Sequence, residues 1–252
     1  MVQRMQASKD CTKCVHPDVC LTMHYVTRHP QPPPSPRLEK AGEQATEEKP
    51  PVLVVLHGYG TDENDLLPIA EQLGEGFLII SLQGPIERPN GGHAWYDLLQ
   101  TPSGIIPDDI SRHDSEEKLL RMLPAIIERE GGDASRVVLP GFSQGAAVIY
   151  SLLAVYDLRN YGITPIASIN LSGYLPRDIL EAVSEKDFSG FPFFLSHGDQ
   201  DELIPPQALG EAEKLLTQQG ADVTTRMQHC GHGVLPETVA EIAEWLPLKV
   251  RK

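Results

Sequence analysis

Gly141-Phe142-Ser143-Gln144-Gly145 is the one place in this chain where a serine stands between glycines spaced two residues to either side. That spacing suits a sharp turn, because glycine removes the side chains that would collide around a strained serine backbone. A hydroxyl lifted out of such a turn can attack a carbonyl if a neighbouring imidazole takes its proton and a carboxylate fixes the imidazole tautomer. The flanking residues supply the matching context. An apolar, β-branched run at 136–139 precedes the turn, and residues 146–156 follow it as a segment apolar around most of a helix circumference. Ser143 is therefore the candidate nucleophile, at a helix N-terminus whose dipole favours developing negative charge. A serine that merely caps an ordinary βα turn is the alternative.

Three histidines follow Ser143: His197, His229 and His232. In α/β-hydrolases the chain order is serine, then acid, then histidine. His197 comes before the acidic cluster Asp199-Gln200-Asp201-Glu202, so it stands on the wrong side of the acid to be the base. His232 sits in Cys230-Gly231-His232-Gly233, after an expected strand at 223–227, where glycines suit a loop that returns an imidazole over the nucleophile. His232 is the favoured base and His229, at the strand end, is its competitor. The cluster supplies the acid, and spacing leaves Asp199 and Asp201 open.

A tetrahedral intermediate also needs donors for its oxygen. Val52-Leu53-Val54-Val55-Leu56 runs directly into His57-Gly58-Tyr59-Gly60. A glycine-rich turn there can offer a backbone N–H, and Tyr59 is assigned to that role beside the N–H of Gln144.

The elements that must position these groups are legible as an alternation. Short apolar strands are expected at 21–28, 52–56, 77–82, 136–139, 166–171, 192–196 and 223–227. Helices are expected at 63–73, 114–130, 143–156, 178–183, 206–219 and 234–246. Continuous apolar strands separated by amphipathic helices predict an α/β fold with a mostly parallel sheet covered on both faces. Sites in such sheets form at the carboxyl ends of strands, where the candidate residues fall.

The motifs His57-Gly58-Tyr59-Gly60, Ala94-Trp95-Tyr96-Asp97, Gly141-Phe142-Ser143-Gln144-Gly145, Leu171-Ser172-Gly173-Tyr174-Leu175, His197-Gly198-Asp199-Gln200-Asp201 and Gly231-His232-Gly233 together resemble the phospholipase/carboxylesterase family. That family includes small bacterial carboxylesterases and acyl-protein thioesterases. The resemblance runs from about Cys20 to Trp245 and implies an α/β-hydrolase fold without a large cap. It implies Ser143 as nucleophile, His232 as base and Asp201, rather than Asp199, as acid. It further implies that Trp95 and Leu203 lie near the acyl group. The stretch 98–106, apolar at Leu98, Leu99, Ile105 and Ile106, falls where these enzymes carry an acyl-binding loop. Ile204 stands where valine is common.

The function expected is a serine carboxylesterase acting on short- to medium-chain acyl esters, needing no metal and no organic cofactor. An acyl-protein thioesterase or lysophospholipase is the alternative within that chemistry. A non-catalytic binding protein on the same fold is the alternative of another class, and it leaves the ordered set of catalytic residue types unexplained. Dienelactone hydrolases share the architecture but carry cysteine where this chain has Ser143.

Composition sets the surroundings. The net charge is −14, and the acidity belongs to the body of the chain: residues 1–50 carry seven Lys or Arg against six Asp or Glu, the remainder fourteen against twenty-nine. Such a surface repels nucleic-acid phosphates and anionic lipid headgroups. No apolar run reaches the roughly eighteen residues of a membrane span, and the start lacks the apolar core of a secretory signal. A cytoplasmic location is expected, with a small-molecule acyl ester as partner, no nucleic acid, no stable membrane insertion, and a homodimer left open. Residues 1–19 read as a mobile extension and 20–250 as one domain, interrupted by a polar, proline-rich loop at 30–49. Cys11, Cys14, His16 and Cys20 could offer four soft ligands to zinc, but they lie within ten residues with no second paired knuckle. A tail without metal is the expectation.

Overall fold

The computed structural model describes residues 23–30, 48–89, 91–102 and 104–250. The first strands are β1 (Tyr25–Arg28), β2 (Pro51–Leu56) and β3 (Leu78–Leu82), with a single-turn helix α1 (Leu67–Ala70) between β2 and β3. Two small hairpins follow, β4 (Ile86–Glu87) with β5 (His93–Ala94), and β6 (Leu98–Thr101) with β7 (Gly104–Pro107). The remaining chain alternates: α2 (Asp109–Arg129), β8 (Asp133–Phe142), α3 (Gln144–Val155), β9 (Pro165–Leu171), α4 (Leu180–Glu185), β10 (Pro192–Gly198), α5 (Gln207–Gln218), β11 (Asp222–Gln228) and α6 (Pro236–Val250).

Seven strands form the main sheet in the order β1-β3-β2-β8-β9-β10-β11. Only β1 runs antiparallel to its neighbour. From β2 the chain winds outward through β3 in one direction, and from β8 it winds outward through β9, β10 and β11 in the other. The loops leaving β2 and β8 therefore part, which opens a crevice at the carboxyl ends of these two adjacent strands.

Alternation along the strands builds a core on each face. Val52, Val54 and Leu56 of β2 pack with Leu119, Leu123 and Ile127 of α2 on one side. Leu53 and Val55 pack with Leu67 and with Ile242 and Leu246 of α6 on the other. Both faces of β2 are covered, as its unbroken apolar run requires.

The α/β-hydrolase architecture matches the expectation from sequence, with instructive shifts at four places. The helix expected at 63–73 shrinks to Leu67–Ala70. The Asp62 carboxylate captures the Asn64 N–H at 2.8 Å, and Pro68 has no N–H to continue a helical ladder. Strand β8 runs to Phe142 rather than 139, because β9 pairs with Pro140, Gly141 and Phe142 and carries the ladder past the proline. Helix α2 begins at Asp109 rather than 114, capped by the Asp108 side chain. Its first turns look polar because Arg112 and Glu116 are buried as paired ions. The stretch 98–106 is a hairpin, β6–β7. The cysteine-bearing residues 11–20, and nearly all of the 30–49 loop, lie outside the described residues.

Candidate active site

Strand β8 delivers Ser143 directly to the first turn of α3. The serine backbone sits at φ 53° and ψ −112°, a region that side-chain-bearing residues rarely occupy and that costs on the order of 1–3 kcal/mol. Neighbours hold it there: Ser143 N–H donates to Leu171 O at 2.8 Å, and Ala147 N–H donates to Ser143 O at 3.1 Å. The two glycines of the motif have separate reasons. A Cβ on Gly145 would stand 2.2 Å from Leu56 O, so only glycine lets α3 start against the end of β2. A Cβ on Gly141 would stand 2.6 Å from Ile149 Cδ1 and 2.8 Å from the Gly145 carbonyl carbon.

His232 comes back over this serine from the loop after β11. Its Nε2 lies 2.8 Å from Ser143 Oγ, and its Nδ1 lies 2.7 Å from Asp201 Oδ2. A carboxylate only accepts, so Nδ1 carries the hydrogen and Nε2 presents its lone pair to the serine hydroxyl. The imidazole packs on the Phe142 ring at 4.9 Å between centroids. Asp201 stands in the loop after β10 with its side chain buried. Its Oδ1 accepts from Leu203 N–H at 2.9 Å and Ile204 N–H at 3.0 Å. Burial opposes ionisation of this carboxyl, but the Ile204 N–H, the His232 imidazole and the Leu203 N–H outweigh it and hold its pKa below the ordinary carboxylate value.

The competing pair is elsewhere. His229 Nδ1 meets Asp199 Oδ2 at 2.9 Å on the exposed surface, and that hydrogen bond and charge raise the His229 pKa. His197, set aside as a base, is buried with Nε2 3.0 Å from Ile204 O and 3.2 Å from Asp201 Oδ2. It meets the Asp201 carboxylate as a second imidazole beside His232.

The His57-Gly58-Tyr59-Gly60 turn leaves β2 beside the elbow. Among the described residues no backbone carbonyl accepts from the Tyr59 N–H, while the next N–H, of Gly60, donates to His93 O at 2.8 Å. Gln144 is the first residue of α3, and N–H groups in a first turn have no partner within their own helix. The Tyr59 ring stacks under the Arg88 guanidinium at 5.0 Å, and Arg88 pairs with Asp97 at 2.5 Å.

Sequence reasoning passed over His57. Its ring is buried, Gly84 N–H donates to Nε2 at 2.8 Å, and Nδ1 faces Gly58 O at 2.6 Å. Burial holds this imidazole below its ordinary pKa, against the hydrogen bond to Gly58. A neutral ring that closes its own turn has the only available signal in its position, directly after an apolar strand and before glycine.

The expected substrate-side residues separate into two groups. Trp95, expected near the acyl group, has its ring fully buried, and its indole N–H donates to His57 O at 3.0 Å. An indole taken from water needs an acceptor, and the one it has lies in the turn after β2. Leu98, Leu99, Ile105 and Ile106 are exposed on the β6–β7 hairpin, and Leu203, two residues after Asp201, is 75% exposed. The hairpin begins two residues beyond Tyr96, whose carbonyl accepts from the Gln144 side chain at 2.7 Å.

Among the described residues no group of three or more His, Cys, Asp or Glu side chains is arranged to hold a metal ion. No helix among them is long and apolar enough to cross a membrane.

A family model described as Phospholipase/Carboxylesterase matches residues 40–249. Among known proteins the chain is similar to the "Putative hydrolase MhqD" of Bacillus subtilis, 24% identical over 200 residues that cover 77% of this chain and 91% of that one. It is similar also to "Acyl-protein thioesterase 1" of Kluyveromyces lactis, 26% identical over 177 residues, 66% of this chain and 75% of that one. Of solved structures, a Bacillus cereus carboxylesterase superposes with a TM-score of 0.70 at 21% identity, over 90% of this chain and 94% of that one. A Mesorhizobium loti carboxylesterase gives 0.67 at 23% identity, over 79% and 90%. At these identities the structural likeness speaks to the fold.

Proposed function

The chain belongs to the phospholipase/carboxylesterase family of ester-hydrolysing enzymes, and from that premise we propose that it is a serine carboxylesterase working through Ser143, His232 and Asp201. The reading is carried by one continuous line of contacts: carboxylate to Nδ1 at 2.7 Å, Nε2 to hydroxyl at 2.8 Å. These are proton-transfer distances.

In the first step Ser143 Oγ attacks the ester carbonyl while its proton passes to His232 Nε2. Asp201 stabilises the imidazolium through Nδ1–H and keeps its own negative charge. The carbonyl oxygen, now anionic, is held by the backbone N–H groups of Tyr59 and Gln144. His232 then protonates the departing alkoxide, leaving an acyl-serine. Water attacks that ester with the same imidazole as base, releasing the acid and restoring Ser143.

The exposed apolar residues of the hairpin and of the loop after β10 support a reading of the substrate class. Leu98, Leu99, Ile105, Ile106 and Leu203 are exposed apolar side chains on the hairpin and on the acid loop. An acyl chain laid against an open surface gains less than one enclosed on all sides, which favours short to medium chains. A thioester substrate is the second reading, favoured by the relatives named as acyl-protein thioesterases. A thioester presents the same carbonyl to the same groups.

Ser143→Ala is expected to abolish hydrolysis of a p-nitrophenyl acyl ester while the protein stays folded, and a fluorophosphonate probe is expected to label Ser143. Undiminished turnover in the alanine variant would overturn the reading. Kinetics with acyl chains from acetyl to palmitoyl, as ester and as thioester, place the substrate.

A further inference from the structure

The two proposed oxyanion donors come from different parts of the chain, the turn after β2 and the elbow after β8. Their spacing must be set by something that touches both. Three hydrogen bonds do so. Gln144 turns its side-chain amide onto the main chain of the Trp95 segment: Oε1 accepts from Trp95 N–H at 2.7 Å, and Nε2 donates to Tyr96 O at 2.7 Å. Trp95 then reaches the other way, and its indole N–H donates to His57 O at 3.0 Å. The His57 and Trp95 rings lie 5.6 Å apart, and both residues are fully buried, with Gln144 nearly so.

The geometry points to Gln144 and Trp95 as positioning residues whose side chains form a tie that fixes the distance between the Gln144 and Tyr59 backbone donors. The inference rests on the oxyanion assignment made above. Two features favour a tie over ordinary core packing. The Gln144 amide spends both its polar ends on consecutive backbone groups, which defines the position of the elbow along that segment as well as its distance. The indole bond ends on a carbonyl two residues before Tyr59, in a turn whose own histidine is locked by Gly84 N–H and Gly58 O. A shift of either end therefore moves a donor, and donors work only when aimed at the oxygen of the transition state.

The test uses the full chain and pairs p-nitrophenyl acetate with its thiono analogue, whose sulfur is a poor acceptor for oxyanion donors. Trp95→Phe keeps a ring in the core and removes the indole N–H. Gln144→Met keeps length and the backbone N–H and removes both side-chain bonds. Each variant is expected to lose about tenfold or more in kcat with KM within about twofold, a fraction of the roughly 100-fold or greater loss from deleting a donor outright. Each is also expected to compress the ester-to-thionoester rate ratio by a similar factor. A merely structural defect lowers both rates together and leaves that ratio alone. Circular dichroism and thermal unfolding establish which variants fold; should one of them fail to fold, the other decides. An unchanged ratio in a folded variant overturns the tie. Ser143→Ala, run in parallel, separates the two claims: turnover persisting there sinks the nucleophile, whereas a dead Ser143→Ala with an unchanged ratio in the other variants sinks only the tie.

Discussion

Gly198 meets the backbone of Gly231 so closely that a Cβ on Gly198 would stand 2.1 Å from the Gly231 carbonyl oxygen and 2.4 Å from that of Cys230. These two glycines sit at the exit of β10 and in the loop after β11. Their contact brings the Asp201 turn and the His232 loop together, along with Gln200 N–H donating to Cys230 O at 3.0 Å. Gly198→Ala has only backbone to push against. It should lower kcat/KM by about 100-fold through displacement of Asp201 from His232, and destabilise the fold by about 1–3 kcal/mol. Steady-state kinetics with urea unfolding checks both; wild-type kinetics in this variant would show that the loops are not coupled.

His229 and His232 lie three residues apart and separate cleanly by substitution. His232→Ala should lose on the order of 10⁴-fold or more in kcat. His229→Ala, which removes an exposed partner of Asp199 and of the Gln200 side chain, should remain within about twofold of the wild type. Hydrolysis of a p-nitrophenyl ester reads both, and the reverse pattern would move the base to His229.

Strain at Ser143 predicts a stability signature. Glycine tolerates a φ of 53° and alanine does not, so Ser143→Gly should be more stable than Ser143→Ala by about 1 kcal/mol, with both variants inactive. Equal urea midpoints would mean that the turn stores no strain.

Asp201 links stability to acid. Its pKa is held below the ordinary carboxylate value in the fold, so the unfolded chain binds the proton more readily. The resulting stabilisation is fully present above about pH 4, the ordinary aspartate value, and is lost as pH falls through the lower folded value. Asp201→Asn cannot ionise and should flatten that acid limb. Urea midpoints measured from pH 6 to pH 3 check it, and parallel curves for wild type and variant would contradict it.

Away from the site, Arg112 is buried between Glu116 Oε1 at 2.7 Å, Ser151 Oγ at 2.6 Å and the Asp178 carboxylate. Burial already pushes the Glu116 pKa up in spite of this arginine. Arg112→Met should cost about 3–5 kcal/mol by taking the arginine from the buried Glu116 carboxylate, which keeps only the half-exposed His113 Nδ1 at 3.2 Å and the Ser151 hydroxyl. Unfolding free energies decide it, and a loss under about 1 kcal/mol would show that Glu116 takes up a proton at little cost.

The sequence by itself determined the parts that depend on local order. The unbroken apolar strands dictated a parallel sheet covered on both faces, and the glycines at 141 and 145 marked a strained turn around Ser143. Chain order set His197 aside, and the glycines on both sides of His232, which imply a loop rather than a strand, favoured it over His229 as base. Tertiary structure decided what depends on distance across the chain. Asp199 and Asp201 differ by two positions, and only the fold shows one facing His229 in solvent and the other buried against His232. The partner of the Trp95 indole is equally illegible in the sequence, and only the fold shows its N–H reaching His57 O. The early start of α2 is hidden for the same reason: Arg112 and Glu116 look like surface charges, and a partner's position is what allows a charge to be buried. Periodicity records which face of an element is inward, but a hydrogen bond between residues as far apart as 57 and 95 leaves no periodic trace.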